Sequence, residues 1–162
     1  MKSQFSRSRL GLAVCLAGLL AFSVGAANVQ AQQGKYVAEA STRLVKLINA
    51  TNGNGYKLQD NTFSIGGGWL KKSTSAYTPL FTVTLQQGTQ YRFLAAGDAD
   101  AKDVDLEVVN ADGDVVASDS KTDPQAVVNY TAQKGGRYTV RVRLYASDMD
   151  LPCVCLAIVM SK

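Results

Sequence analysis

Gly136-Arg-Tyr-Thr-Val-Arg-Val-Arg-Leu144 decides the fold. Tyr138, Val140, Val142 and Leu144 occupy every second position and alternate with Thr139, Arg141 and Arg143. Side chains of an extended chain point alternately to opposite faces, so the run is a strand with one apolar and one polar face. The apolar face requires a second layer to cover it. The same period of two recurs upstream. Phe81, Val83 and Leu85 alternate with Thr82 and Thr84, and Tyr91, Phe93 and Ala95 with Arg92 and Leu94. Leu106 and Val108 alternate with Asp105 and Glu107, and Val115 to Ser118 and Val127 to Thr131 add two shorter strands. Gln87-Gly88, Asn110-Ala111-Asp112-Gly113, the polar loop Asp119 to Gln125, and Gln133 to Gly136 are turn sequences between them. Val154 to Met160 is apolar on both faces, as expected of a central strand covered on both sides. Short strands separated by regular turns predict an all-β chain folded as an antiparallel sandwich.

One helix precedes the strands. Val37, Ala40, Leu44, Leu47 and Ile48 recur at steps of three and four between Tyr36 and Ala50, and Asn52-Gly-Asn-Gly55 ends the run. Its apolar stripe is expected to lie on the sandwich. Gly66 to Gly68 reads as a flexible joint between this segment and the strands. The expected organisation is therefore 1–31 as a secretory signal peptide, 32–75 as helix and connecting segment, and 76–162 as the sandwich.

The signal peptide rests on Lys2, Arg7 and Arg9, the apolar run Leu10 to Phe22, and small residues ending in Val29-Gln30-Ala31, with Gly25-Ala26-Ala27 as a second cleavage position. The run is shorter than the roughly 20 residues a membrane helix needs. Three of the 17 basic residues and none of the 13 acidic ones lie before residue 32, which leaves 14 against 13. The near-neutral remainder gives no argument for nucleic acid or an anionic membrane. A secreted or periplasmic chain without a membrane span after cleavage is expected.

Histidine is absent, which removes Ser-His and Cys-His nucleophile pairs and the commonest zinc ligand. Cys153 and Cys155 are two apart in an expected strand. Their side chains then run parallel at about 6.6 Å, against the about 3.8 Å between Cβ atoms of a disulfide. A bond between them requires a sharp bend; small core residues or an intermolecular bridge are the other readings.

The stretch from about Phe81 to Val142 resembles the bacterial pre-peptidase C-terminal (PPC) domain family. The resemblance lies in Phe81-Thr-Val-Thr-Leu85 with Gly88-Thr-Gln-Tyr91-Arg-Phe93, in Asp103-Val-Asp105-Leu106, in Asp112-Gly113 before Val115-Val116, and above all in Gly136-Arg-Tyr138-Thr-Val140-Arg-Val142. It implies a jelly-roll sandwich that serves secreted enzymes as an accessory module, with calcium or insoluble polymer as ligands in some relatives. This chain carries no peptidase, and its helix lies outside the family pattern; it resembles small stand-alone secreted versions of the domain.

Two groups of residues are candidate sites. Asp98, Asp100, Asp103 and Asp105 supply the carboxylate oxygens that calcium prefers, near one strand entry and without EF-hand spacing; a solvated acidic loop is the plainer reading. Arg137, Arg141, Arg143 and Tyr145 share one parity and form a candidate binding face for an acidic partner, unless Asp105 and Glu107 pair with them across strands. Trp69 and Tyr77 read as contacts that fasten the amino-terminal segment to the sandwich, with sugar-stacking platforms as the alternative. No catalytic residue is assigned. The expected function is a secreted, non-catalytic module for an extracellular protein or polysaccharide. The alternative is a hydrolase that uses carboxylates such as Asp103, Asp105 and Glu107.

Overall fold

The computed structural model describes residues 33–60 and 62–162. The signal peptide expected at 1–31 lies outside the described residues. Helix α1 covers residues 33–52. Eight strands follow: β1 (Ile65–Leu70), β2 (Thr78–Leu85), β3 (Gln90–Gly97), β4 (Ala101–Val109), β5 (Val115–Asp119), β6 (Gln125–Thr131), β7 (Gly136–Ser147) and β8 (Cys153–Ser161). A short 3-10 turn, Asp148–Asp150, joins β7 to β8. No described helix is long and apolar enough to cross a membrane.

The strands form two four-stranded antiparallel sheets, A in the order β1-β8-β3-β6 and B in the order β2-β7-β4-β5. Each strand crosses to the opposite sheet from its predecessor except β5, which pairs with β4 as a hairpin, and this is the jelly-roll arrangement of eight strands. The alternating residues meet between the sheets: Phe93 and Ala95 from β3, Leu106 and Val108 from β4, Val140, Val142 and Leu144 from β7, and Cys153, Cys155 and Ala157 from β8.

Sheet A is apolar on its other face as well. Leu94, Ala96, Ile158 and Met160 form a second core with Leu44 of α1 and Tyr56. The helix thus makes a third layer and accounts for the apolar runs Leu94 to Ala96 and Val154 to Met160. Of its expected stripe, Ala40 and Leu44 are buried and Leu47 and Ile48 pack against the core, whereas Val37 is exposed. Gly55, at φ +84°, turns the chain out of the helix as the Asn-Gly-Asn-Gly sequence predicts.

The reading of Gly66 to Gly68 as a flexible joint is corrected. These glycines are the middle of β1, paired with Ala157, Leu156 and Cys155 of β8. The sandwich therefore begins before residue 76. Packing demands the missing side chain at Gly66, where a Cβ would stand 2.7 Å from Phe81 Cδ1 and 2.8 Å from the Leu80 carbonyl oxygen. Close approach of β1 to β2 removes the β-branched residues that ordinarily mark a strand.

Cys153 and Cys155 are free thiols, fully buried in β8, as the strand geometry argues. Burial, followed by the charge of Asp98, pushes the Cys155 thiol up to about 12, and the Cys153 thiol rises for the same reasons. The thiolate is the reactive species, so neither is available near neutral pH. Alkylation of the folded protein at pH 8 is expected to modify neither cysteine, and alkylation in denaturant both, as read by intact mass.

Candidate functional site

One end of the sandwich gathers the loop after β3, the β7–β8 loop and the segment that follows β1. Asp98 is the anchor, with only 1% of its surface exposed. Its Oδ2 accepts a 2.6 Å hydrogen bond from the Val154 N–H at the start of β8, and its Oδ1 accepts one from the Asp100 N–H at 3.1 Å. The Asp98 and Gly97 carbonyls each accept a 2.6 Å bond from Arg43 Nη1 of α1, and Ala99 N–H donates to Glu39. The Asp100 carbonyl in turn accepts from the Asp148 N–H, and Lys102 pairs with Asp148 at 2.8 Å. On the other side Lys72 pairs with Asp150 at 2.5 Å, and Ser147 Oγ donates to the Leu151 carbonyl.

This bracing holds an unusual turn. Met149 and Asp150 are the described non-glycine residues with positive φ, at +48° and +57°. Asp tolerates that region; an unbranched apolar residue does so only at a cost of about 1–2 kcal/mol. Met149 is also 88% exposed, far more than any other large apolar side chain described. Leu151 beside it and Tyr145 near the end of β7 are exposed too. No sequence signal marked this turn. Ser147-Asp-Met-Asp-Leu151 has no glycine where positive φ occurs, so propensity rules pass over it.

The four aspartates of the expected cation site do not converge. Asp98 and Asp100 belong to the bracing just described, and Asp103 and Asp105 lie on the outward face of β4. Among the described residues no group of three or more carboxylates, thiols or imidazoles is placed to hold a metal ion. The solvated-loop reading also fails, since Asp98, Asp103 and Asp105 are all buried.

The expected basic face is an ionic ladder. Register sets Asp105 opposite Arg143 and Glu107 opposite Arg141. Arg143 Nε donates to Asp105 Oδ2 at 2.8 Å and its Nη1 to the Thr74 carbonyl at 2.9 Å, while the guanidinium lies 4.6 Å from the Tyr77 ring and 4.9 Å from the Tyr145 ring. Arg141 pairs with Glu107. Only Arg137 of the three arginines stands exposed and apart from these pairs, so the stripe is not a free cationic surface. Tyr77 stacks on this ladder, whereas Trp69 meets Tyr36 of α1 edge to face, with centroids 5.4 Å apart.

Burial under the segment before β2 was not legible in the alternation, because it depends on long-range packing. It leaves Asp103 Oδ1 and Arg141 Nε without hydrogen bonds among the described residues. Desolvation, with the Asp105 charge second, raises the Asp103 carboxyl above its ordinary range. A folded state that binds its proton more tightly than the unfolded chain loses stability as pH rises through that range. Asp103→Asn is therefore expected to raise the melting temperature at pH 7, with an advantage that shrinks as pH falls toward 4. An equal shift at both pH values shows that charge is not the cause.

No protein-family model matches the chain, and no curated protein matches it. Among solved structures, PliG of Aeromonas hydrophila, a periplasmic inhibitor of g-type lysozyme, is similar with a TM-score of 0.42 and 13% identity, over 65% of this chain and 92% of that one.

Proposed function

We propose that this chain is a secreted, non-catalytic binding module whose β7–β8 loop docks into an apolar pocket of an extracellular protein. The observation that carries the reading is Met149, an exposed apolar side chain held in a disfavoured backbone conformation by ion pairs on both flanks. Backbone strain that a surrounding structure maintains is a pointer to function. A methionine tip suits an apolar recess, because its flexible thioether adapts to irregular walls. Bracing fixes the loop before contact, so little ordering entropy opposes binding.

The buried groups support a non-catalytic role. Asp105 and Glu107 are each held by an arginine, and both thiols are closed off. A carboxylate hydrolase needs two acids whose environments push them apart, with access for substrate. The jelly-roll order of the strands is also the fold that the PPC resemblance implies, in keeping with an accessory module.

The test is capture from the secreted fraction of the source cells on immobilised protein. Met149→Asp alters no packed contact and is expected to keep the melting curve while the captured protein falls at least about tenfold, since a charge cannot enter an apolar recess unpaired. Identical capture by both proteins sinks the proposal. Met149→Gly is expected to raise folding stability by about 1 kcal/mol through relief of the left-handed conformation, and to weaken capture as well.

A further inference from the structure

We propose that two copies of this chain pair along β1, antiparallel and edge to edge about a two-fold axis at Gly67, and so join their A sheets into one continuous sheet. The inference is independent of the role of the β7–β8 loop.

Among the described residues, strand β1 is an edge of sheet A and pairs only with β8. Val159 N–H donates to the Ser64 carbonyl, which makes 64 and 159 a hydrogen-bonded pair. Such pairs alternate along an antiparallel ladder, so Gly66, Gly68 and Leu70 also face β8. Ile65, Gly67 and Trp69 then aim their N–H and C=O groups away from the sheet. None of these groups has a hydrogen-bond partner among the described residues.

The other three edges are protected. β2 carries Pro79 and a register shift, and β5 is five residues long with a shift of its own. On β6 the Gln125 and Val127 N–H groups are taken by the carboxylates of Asp123 and Asp119. Prolines, bulges, short strands and inserted charges are the usual guards of a sheet edge. β1 has none. It has no proline and no charge between Ile65 and Leu70, and it leaves Ile65 and Trp69 about half exposed, with Phe63 just before it equally so.

The edge is complementary to itself. With the axis at Gly67, each outward pair finds its counterpart: Gly67 meets Gly67 of the second copy, and Ile65 meets Trp69. The two exposed apolar side chains of one copy thus become cross-strand neighbours of the other's, in the aromatic and β-branched combination that sheets favour. Gly67 at the axis has no side chain to obstruct the approach, and a Cβ there would already stand 2.3 Å from Leu156 Cδ2. Charge agrees as well. No charged residue lies between Ile65 and Leu70, so the register opposes no like charges within the strand.

Sedimentation velocity over a micromolar concentration series tests this on the purified chain. A mass of two copies that dissociates on dilution is expected. Ile65→Lys, whose side chain is half exposed, should weaken the dimer at least about tenfold without changing the melting curve. Combining Ile65→Lys with Trp69→Glu should restore it, because the register sets position 65 against position 69. A monomer throughout the series, or a dimer indifferent to Ile65→Lys, overturns the proposal. A monomer that nonetheless takes up an extended peptide along β1 also overturns it, in favour of a foreign strand. Loss of the dimer leaves the Met149 capture experiment unaffected, so the two readings fail separately.

Discussion

Alanine at Asp105 is expected to lower folding stability by about 3–5 kcal/mol, the range for removing one partner of a buried ion pair. Asp105 is 2% exposed, and the side chain of Arg143 is 15% exposed. The guanidinium left behind keeps the Thr74 carbonyl and two tyrosine rings but no counter-charge. Urea unfolding should show a lower midpoint at an unchanged slope. Replacing both partners, Asp105→Leu with Arg143→Met, should recover most of the loss, because apolar groups of similar volume carry no desolvation penalty. A single variant that costs less than about 1 kcal/mol would place the pair among solvated surface bridges and remove the argument that this face of sheet B is a built, desolvated ladder.

The second large effect is expected at Asp98. Asp98→Ala removes charge-assisted bonds worth about 1.5–3 kcal/mol and leaves the Val154 N–H buried without an acceptor, for a total near 3 kcal/mol. Asp98→Asn should lose less, since its amide oxygen still accepts. The distinguishing measurement is hydrogen exchange. Loss of this anchor should speed exchange at the start of β8 and in the β7–β8 loop before the centre of sheet B is affected. Uniform acceleration across both sheets would show that Asp98 supports the whole fold rather than this end of it.

The strands of the sandwich were legible because their burial is one-sided, and one-sided burial writes a period of two. Phe81 to Leu85 and Tyr138 to Leu144 are the clear cases. β8 was legible for the opposite reason, being apolar on both faces. β1 was hidden because the contact that makes it a strand, close approach to Leu80 and Phe81, is the same contact that selects glycine and erases propensity. For the site, alternation placed Asp105, Glu107 and the arginines on outward faces and offered cross-strand pairing as one reading, but parity says nothing about register or depth. The burial of that outward face comes from residues 73–77 and from stacking by Tyr77, which no local pattern records. Met149 was the least legible of all. A strained turn violates local preference, and the ion pairs that hold it come from Lys72 and Lys102, distant in the chain.

The position of β8 has a kinetic consequence. It is the last strand of the fold in chain order, yet it sits in the middle of sheet A, between β1 and β3. Until it arrives, β1 has no neighbour to pair with and β3 has only β6. Sheet A is then split into the β3–β6 pair and an unpaired β1, and both cores lack the β8 side chains that complete them, so the early chain presents open edges beside sheet B. Contacts between the first and last strands impose long loop closures, which slow folding. A growing or threading chain therefore cannot complete sheet A before the end of β8 is free, and its need for a holding factor is greatest just before that moment.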